Sequence, residues 1–247
     1  MTGLICAVEF EYDEILERLS RRRRLEYGGL VFFRGMLNGR RVVLAASGVG
    51  KTNAAHATTL LMERFRPGLV VNFGIGGAYP GSGAGVCDVA LAEVEIYGDE
   101  GAETQDGFVE MRDLGLPLLH ARPASGLDNG RRRRALFNRI PLQPVPVRKA
   151  YRLLKRLSME PRKGPFVTVS AVSGTPARAV ELQARYGAVC ESMEGASVAH
   201  VCVLHGVPFV EIRGISNMAG ERDRRLWRLD EAASAAQRAV IGMLGQW

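Results

Sequence analysis

Several features that define other classes of protein are missing from this sequence. No hydrophobic run approaches the roughly 18 residues that a membrane helix needs, so we expect no membrane partner. The first residues, MTGLICAVEFEYDE, have no basic start and no long apolar stretch, so we predict no signal peptide and a cytoplasmic location. The four cysteines form no C-x-x-C pair and the four histidines no H-E-x-x-H pattern. These absences argue against a disulfide framework and against a metal site.

Lysine is also scarce, because only four of the 33 basic residues are lysine and the other 29 are arginine. The net charge is +7, and two arginine runs stand out at 21–24 and 131–134. Such runs either bind nucleic acid or are solvated charge at a helix end and in a loop. No aromatic residues are interleaved with them, as a groove for single-stranded nucleic acid would require. We therefore favour solvated charge over a nucleic-acid partner.

The order of hydrophobic patterns predicts the fold class. The composition, 47% hydrophobic and 24% charged over 247 residues, is typical of a globular protein. Strand patterns alternate with helical patterns towards both ends of the chain, and Asn38-Gly39 predicts a hairpin between strands at 30–36 and 41–46. This alternation predicts a three-layer α/β/α fold with a central mixed, mostly parallel sheet. No linker is evident, so we predict a single domain over 1–247, with an irregular, candidate mobile insert around 122–148.

The segment SGVGKT at 47–52 is similar to a nucleotide-binding P-loop. That motif needs a glycine five residues before Gly50, where this chain has Ala45. The loop between strand and helix is also too short to enclose a nucleotide. Its glycines can still supply backbone donors at a helix N-terminus. We therefore do not predict a kinase or an ATPase.

Chemically competent groups follow several predicted strands. They are Glu9 and Glu11, the glycines Gly74, Gly76 and Gly77, the segment Met193-Glu194-Gly195, and the segment from Arg213 to Asn217. Ligands of α/β folds bind at the carboxyl ends of the strands, and glycine lets a backbone approach them closely. Each group alone has an ordinary structural explanation, such as a helix-dipole partner or a turn residue. Their joint order is more specific.

That order resembles the purine nucleoside phosphorylase/nucleosidase superfamily, in the branch of the methylthioadenosine/S-adenosylhomocysteine nucleosidases. The matching segments are AVEFE (7–11), SGVGKTNAAHATTLL (47–61), NFGIGGAYP (72–80), ESMEGASVAHVC (191–202) and RGISN (213–217). Within the branch, three features resemble the futalosine hydrolase family: YGDEGAETQDGF (97–108), SNMAGERDRRLW (216–227), and Asn217 where the adenosine nucleosidases carry Asp. That family removes hypoxanthine from futalosine in menaquinone biosynthesis and leaves dehypoxanthine futalosine.

The resemblance implies roles at the base and the sugar. Asn217 would bind the leaving base, since an amide carries both a donor and an acceptor and can bond a ring nitrogen and a 6-oxo group. Glu194 would hold the 2′- and 3′-hydroxyls, with Met193 packed on the ribose. Ser173 and Gly174 would line the base pocket beside Gly76 and Gly77. The ordinary alternatives are a turn Asn217 and a core Met193.

At the water and the 5′ side, the resemblance implies that Glu11 is the general base, with Glu9 as a competing assignment. Arg213 would orient the carboxylate or the base loop. Trp227 would cover the 5′ side of the sugar, or else be a buried aromatic of the closing helix. Phe108 is a candidate wall of the 5′ slot, contributed by a neighbouring subunit of a homodimer or higher homo-oligomer.

The predicted function is therefore hydrolysis of a purine nucleoside, with no cofactor and no metal. Asn217 argues against the alternative of a methylthioadenosine/S-adenosylhomocysteine nucleosidase, because departure of adenine profits from a proton donor. A phosphorylase is disfavoured, because carboxylates at Glu9 and Glu11 would repel inorganic phosphate. A further alternative is a nucleoside-binding or nucleic-acid-binding protein that has lost catalysis. The presence of Glu11 and Glu194 speaks against it.

Overall fold

The computed structural model describes residues 1–121 and 134–247. Within them, fourteen strands and six α-helices are connected by loops and two short 3-10 turns. The strands are β1 (Thr2–Cys6), β2 (Ser20–Tyr27), β3 (Leu30–Leu37), β4 (Arg40–Ala46), β5 (Leu69–Ala78), β6 (Val89–Tyr97), β7 (Gly101–Thr104), β8 (Gly107–Glu110), β9 (Leu119–Ala121), β10 (Arg134–Leu136), β11 (Arg139–Pro141), β12 (Arg162–Thr168), β13 (Cys190–Ser192) and β14 (Phe209–Met218). The helices are α1 (Asp13–Glu17), α2 (Lys51–Phe65), α3 (Pro144–Arg156), α4 (Pro176–Tyr186), α5 (Gly195–His205) and α6 (Leu229–Gln246).

Ten strands form one central sheet in the order β11-β6-β12-β13-β5-β1-β4-β3-β2, with β14 paired to both β5 and β6. Because β13 also pairs with β5, the strands β5, β14, β6, β12 and β13 close into a ring. The predicted mixed sheet is confirmed. Its ten ladders divide equally into parallel and antiparallel pairs, rather than being mostly parallel. The antiparallel ladders come from closure of the ring, from the edge strand β11 and from the β2–β3–β4 hairpins.

The helices pack on the sheet in two groups. Helix α6 lies on β14 and β5 and also contacts α1 and α3, whereas α2 and α5 pack on each other. The contacts are close: a Cβ added to Gly214 of β14 would lie 1.9 Å from the Ala232 carbonyl oxygen of α6, and one added to Gly3 of β1 would lie 2.4 Å from Leu61 of α2. The predicted three-layer arrangement is therefore confirmed. No helix of the described residues combines the length and the apolar character needed to cross a membrane.

The sequence pattern predicts helices at 51–65 and 176–186, and these are the observed bounds of α2 and α4. In α4 the local signals are complete. The Thr175 hydroxyl accepts a hydrogen bond from the Arg178 N–H, Pro176 occupies the first turn, and Gly187 ends the helix with a φ of 62°. The helix predicted at 149–157 instead begins at Pro144, because proline in the first turn is compatible with a helix.

Strand β2 was not predicted. It contains the arginine run at 21–24, which we expected at a helix end. Charged side chains mask the alternation of a strand, and here β2 is an exposed edge of the sheet where such residues are common. The four arginines are exposed, so their solvation is as expected, and the choice of solvated charge over a nucleic-acid partner stays a prediction. Residues 131–133 of the second run lie outside the described residues.

The irregular insert expected around 122–148 is described in part. Residues 134–148 form β10, β11 and the first turn of α3, so this portion is regular structure rather than a loop. Residues 122–133 lie outside the described residues. The segment before the insert, 98–121, contains the β7–β8 hairpin and β9. The sequence predicts no helix or strand there.

The hairpin turn between β3 and β4 is fastened to the end of the last helix. Asn38 has a φ of 49°, and its side-chain amide donates to the Ile241 carbonyl oxygen at 2.9 Å. Arg40 Nε donates to the Leu244 carbonyl oxygen at 2.8 Å. These bonds join the hairpin to two carbonyl oxygens in the last turns of α6, and the Leu244 carbonyl oxygen also accepts from Trp247 N–H.

We expect Asn38→Ala to lower the free energy of unfolding by about 2 kcal/mol, since it combines left-handed strain with loss of the hydrogen bond to Ile241. Asn38→Gly is the matched control, because glycine tolerates the positive φ but makes no such bond. Urea titration should place it between Asn38→Ala and the wild type. Equal losses for the two variants would contradict a contribution from backbone strain.

Candidate active site

The site is built around the second half of β5, where the chain has the glycines Gly74, Gly76 and Gly77. A Cβ added to Gly74 would lie 2.4 Å from Glu11 Oε1, and one added to Gly76 would lie 2.5 Å from Cys190 Sγ. Gly77 is paired with Asn217 of β14 on one side and with Glu191 of β13 on the other. The glycines therefore let neighbouring side chains approach the backbone of this strand. The approach of a substrate to Gly76 and Gly77 stays a prediction.

Glu11 is buried, with 2% of its surface exposed, whereas Glu9 is exposed. Oε2 of Glu11 accepts hydrogen bonds from the Ala7 and Val8 N–H groups at 2.8 and 3.1 Å, and Oε1 of Glu11 accepts one from Ile75 N–H at 2.8 Å. Burial raises the pKa of Glu11, although Arg213 and these backbone donors oppose the shift. A carboxylate with a raised pKa is a stronger base than an exposed one.

Arg213 is 1% exposed and contacts three groups at once. Its Nε donates to Glu211 Oε1 at 2.8 Å, and its two terminal nitrogens donate to the Ile75 carbonyl oxygen at 3.0 Å and to Glu194 Oε2 at 3.3 Å. Burial lowers the pKa of Arg213, but the neighbouring carboxylates raise it further, so the net shift is upward and the guanidinium stays charged. The backbone of Ile75 thus donates to Glu11 through its N–H group and accepts from Arg213 through its carbonyl oxygen.

Glu194 lies directly before α5 and is 4% exposed. Its Oε1 accepts from Gly50 N–H at 3.0 Å, and its Oε2 faces Arg213. The glycine of the SGVGKT segment therefore supplies a backbone donor to a carboxylate, which was expected as a capacity of this loop. Met193 is half-buried and precedes the helix, so the alternative of a core methionine on a helix is wrong.

Lys51 begins α2 and makes ion pairs with Asp99 and Glu100, the latter at 2.9 Å. Asp99 also accepts a hydrogen bond from Ser170 N–H at 2.6 Å. The lysine of the SGVGKT segment is thus neutralised by the YGDE segment that follows β6. This pairing links two of the segments on which the family resemblance rests.

Asn217 lies near the end of β14 and is half-buried. Its Oδ1 accepts from the Ser216 hydroxyl at 2.7 Å, and its Nδ2 donates to the Met218 carbonyl oxygen at 2.9 Å. The Met218 carbonyl can only accept a hydrogen bond, so it fixes which end of the amide carries the nitrogen. One N–H of Asn217 remains for another acceptor.

The Ser173–Gly174 turn lies beside the Asn217 loop, because Gly220 packs on the next two residues of that turn, with its Cβ position 2.7 Å from the Thr175 carbonyl oxygen. The buried Ser173 donates to Glu191 through its N–H at 2.8 Å and its hydroxyl at 2.6 Å. Tyr79 also donates to Glu191, at 2.9 Å. Gly174 itself is exposed. The contribution of this turn to a base pocket stays a prediction.

Trp227 and Phe108 take no part in the hydrogen bonds described above. Trp227 is half-buried in the turn before α6, where its ring nitrogen donates to the Glu221 carbonyl oxygen at 3.3 Å. The alternative of a buried aromatic within the closing helix is therefore wrong. Phe108 lies in the β7–β8 hairpin, with the Arg185 guanidinium 4.7 Å from the centre of its ring. Their roles at the 5′ side stay predictions.

Three buried glutamates were missed: Glu95, Glu191 and Glu211. Each interrupts a stretch of apolar strand residues, and this is the one signal that could have indicated them. Glu211 contacts Arg213 directly, and Glu191 holds the Ser173 turn. A surface cavity of about 480 Å³ between α3, β6 and β12, lined by Tyr151, Arg152 and Lys163 among others, includes none of the predicted site residues.

Comparisons with known proteins give one consistent family. Residues 2–244 match the Phosphorylase superfamily. The chain is similar to "Futalosine hydrolase" of Thermus thermophilus, with 37% identity over 85% of this chain and 84% of that protein. It is also similar to "5'-methylthioadenosine/S-adenosylhomocysteine nucleosidase" of Geobacillus thermodenitrificans, with 29% identity over 98% and 95% of the two chains. Among solved structures, the corresponding nucleosidase of Neisseria meningitidis has the same fold, with a TM-score of 0.83, 23% identity and coverage of 100% and 99%.

We expect Gly74→Ala to destabilise the protein by about 3 kcal/mol, because the new methyl group would meet the Glu11 carboxylate and the backbone has a φ of 151°. Gly107→Ala is the matched control, since Gly107 has a φ of 113° with open space around its Cβ position. Thermal unfolding followed by circular dichroism should show the smaller loss for Gly107→Ala. A loss as large as that of Gly74→Ala would mean that strain alone, and not the approach of Glu11, requires glycine at position 74.

Proposed function

The chain belongs to the Phosphorylase superfamily, and we propose that it hydrolyses the N-glycosidic bond of futalosine, releasing hypoxanthine and dehypoxanthine futalosine for menaquinone biosynthesis. The observation that carries this proposal is an arrangement around β5: Glu11 binds Ile75 and Asn217 pairs with Gly77. Arg213 binds Ile75 as well and connects Glu194 to this strand. The 37% identity to the futalosine hydrolase of Thermus thermophilus, against 29% to the adenosine nucleosidase, supports the choice of substrate.

Glu11 activates the water. Each oxygen of a carboxylate has two acceptor positions, and Oε2 of Glu11 uses both on the Ala7 and Val8 N–H groups. Oε1 uses one on Ile75, so one position remains for the proton of a water molecule. The fixed donors hold the carboxylate in a single orientation, and burial keeps it basic.

Glu194 binds the 2′- and 3′-hydroxyls of the ribose. A glycosidic bond breaks through a sugar that resembles an oxocarbenium ion, so a nearby carboxylate stabilises the transition state. Arg213 and Gly50 N–H each occupy one oxygen of Glu194 and thereby fix the direction of its remaining acceptor positions. Met193, half-buried just before it, packs against the sugar.

Asn217 assists the departing base. Hypoxanthine leaves with negative charge on its ring, and the nitrogen of the five-membered ring and the 6-oxo group are both hydrogen-bond acceptors. The donor side of the amide is therefore the useful one, and the Met218 carbonyl oxygen fixes its direction by accepting one of its two N–H groups. An amide does not titrate, so it favours a base that leaves as an anion stabilised by hydrogen bonds over one that needs a full proton.

The alternative is a methylthioadenosine/S-adenosylhomocysteine nucleosidase, which the 29% identity over nearly the whole chain keeps open. Asn217 is the residue that disfavours it. We further propose that the protein acts in the cytoplasm as a homo-oligomer in which Phe108 reaches the 5′ side of the substrate in a neighbouring subunit, with Trp227 covering the sugar.

We expect Glu11→Gln to lower kcat/KM for futalosine by about 10²–10⁴-fold, the usual contribution of a general base. In the wild type, activity should fall as the pH drops through the pKa of Glu11, because only the ionised form accepts a proton. Since burial raises this pKa above 4.5, the acid limb should lie above the range of ordinary carboxylates, and Glu11→Gln should lack it.

Glu9→Gln is the control for this experiment, because Glu9 is exposed two residues away. It should retain wild-type activity in a phosphate-free assay of hypoxanthine release. A loss with Glu9→Gln but not with Glu11→Gln would overturn the assignment of the base. Turnover that requires added phosphate would overturn hydrolysis itself.

Asn217→Asp should shift the specificity towards adenine nucleosides. An aspartic acid can deliver a proton to adenine, whereas its ionised form repels a hypoxanthine that leaves as an anion. We expect the ratio of kcat/KM for methylthioadenosine to that for futalosine to rise at least about tenfold, corresponding to roughly 1.4 kcal/mol. An unchanged ratio, measured by chromatography of the released bases, would show that Asn217 does not select the base.

A further inference from the structure

Glu95 of β6 and Glu211 of β14 are both fully buried and lie beneath the first residue of α5. A Cβ added to Gly195 would lie 2.5 Å from Oε2 of each of them. Neither residue was part of the predicted site. Glu211 nevertheless bonds Arg213, and Gly195 directly follows Glu194, so this pair lies immediately behind the ribose-binding carboxylate.

The hydrogen bonds of the pair are incomplete in a way that indicates a proton. Glu95 Oε2 accepts from the Thr168 hydroxyl at 3.5 Å, and Glu211 Oε1 accepts from Arg213 Nε at 2.8 Å. Among the described residues, Glu95 Oε1 and Glu211 Oε2 are the only buried carboxylate oxygens with no donor. A single proton between the two side chains would give both of them a partner.

The charge balance leads to the same conclusion. Four buried carboxyl groups, Glu11, Glu95, Glu194 and Glu211, surround the one guanidinium of Arg213. Burying unpaired charges is costly, and two carboxyl groups that share one site do not both ionise. Glu11 has three backbone donors, and Glu194 and Glu211 each contact Arg213. Glu95 has only a hydroxyl donor and therefore is the group that retains a proton.

We propose that Glu95 is protonated and donates to Glu211, and that the two act as a positioning pair which holds Arg213, and through it Glu194, for the nucleoside. The proposal rests on the proposed function for its kinetic consequences only. Burial, the charge of Glu211 and a hydrogen bond to it all raise the pKa of Glu95, against the smaller opposing effects of Arg213 and Thr168.

The bond between Glu211 and Arg213 Nε also fixes the position of Glu194, because of the shape of the guanidinium. The guanidinium is planar and its donors have fixed directions, so holding Nε also sets the direction of the terminal nitrogen that reaches Glu194. Glu95 does not touch Arg213. It acts by placing the negative charge of the pair on Glu211, next to the cation, and by keeping a second charge out of the interior.

Infrared spectroscopy tests the proton without any substrate. At pH 8, where exposed carboxyl groups are ionised, the wild type should show the carbonyl stretch of a protonated carboxyl group. Glu95→Gln should lose this band. Glu93→Gln, the same change two residues earlier on an exposed position of β6, should keep it. Absence of the band in the wild type, or its persistence in Glu95→Gln, would overturn the proposal.

A double-mutant cycle tests the positioning role. Glu95→Gln should keep kcat/KM within about threefold of the wild type, since an amide N–H replaces the O–H donor. Glu211→Gln should lower it about ten- to a hundredfold, because the charge moves to Glu95, away from Arg213. Adding Glu95→Gln to Glu211→Gln removes the last anion of the pair, so it should cost at least about a further tenfold.

The two changes should therefore be non-additive, with Glu95→Gln costly only in the Glu211→Gln background. If the pair only stabilises the fold, both single variants should have a lower thermal midpoint and the effects of the two substitutions on kcat/KM should be additive. This result would overturn the proposal. If the wild type does not hydrolyse futalosine, the proposed function fails. The infrared result still decides on the proton.

Discussion

Burial of the Arg213 guanidinium is the constraint on which the rest of the site depends. A guanidinium cannot give up its charge in a protein, so the surrounding chain must supply anions and carbonyl oxygens at fixed positions. Here they come from β14 through Glu211, from β5 through Ile75 and from the start of α5 through Glu194. Three elements that are distant in sequence are therefore held at one point, and Glu11 is joined to them through the N–H group of the same residue, Ile75.

Close approach to this cation and its carboxylates explains why small residues recur at particular places. Gly74 leaves room for Glu11, Gly76 for Cys190, and Gly195 for both Glu95 and Glu211. A methyl group at any of the three would lie about as close as 2.5 Å to another heavy atom. Gly74 and Gly76, which the sequence places after a strand, lie within β5 in the structure, where neighbouring side chains meet the backbone.

Sequence reasoning found the residues that lie in short, ordered segments at strand ends. Glu11, Glu194, Arg213 and Asn217 could be predicted because their segments have a distinctive order along the chain. The alternation of patterns was sufficient for the layers and for the bounds of α2 and α4. Strand β2 could not be predicted, since its arginines hide the alternation, and neither could the closure of the ring, which depends on pairings between distant strands. Glu95 and Glu211 were missed because a single acidic residue in an apolar strand does not show which partner it will meet.

The closed ring of strands also bears on how the protein is made. It begins with β5 and is completed only by β14, which ends at Met218 of 247 residues. A chain emerges from the ribosome from its N-terminus at roughly 5–20 residues per second, so the amino-terminal half waits for most of synthesis without the strand that covers β5. During this time the apolar edge of β5 lacks its final neighbour, and a prematurely terminated chain would lack Arg213 altogether. The ring thus closes late in synthesis, and Arg213 and Asn217 reach the site only with its last strand, β14.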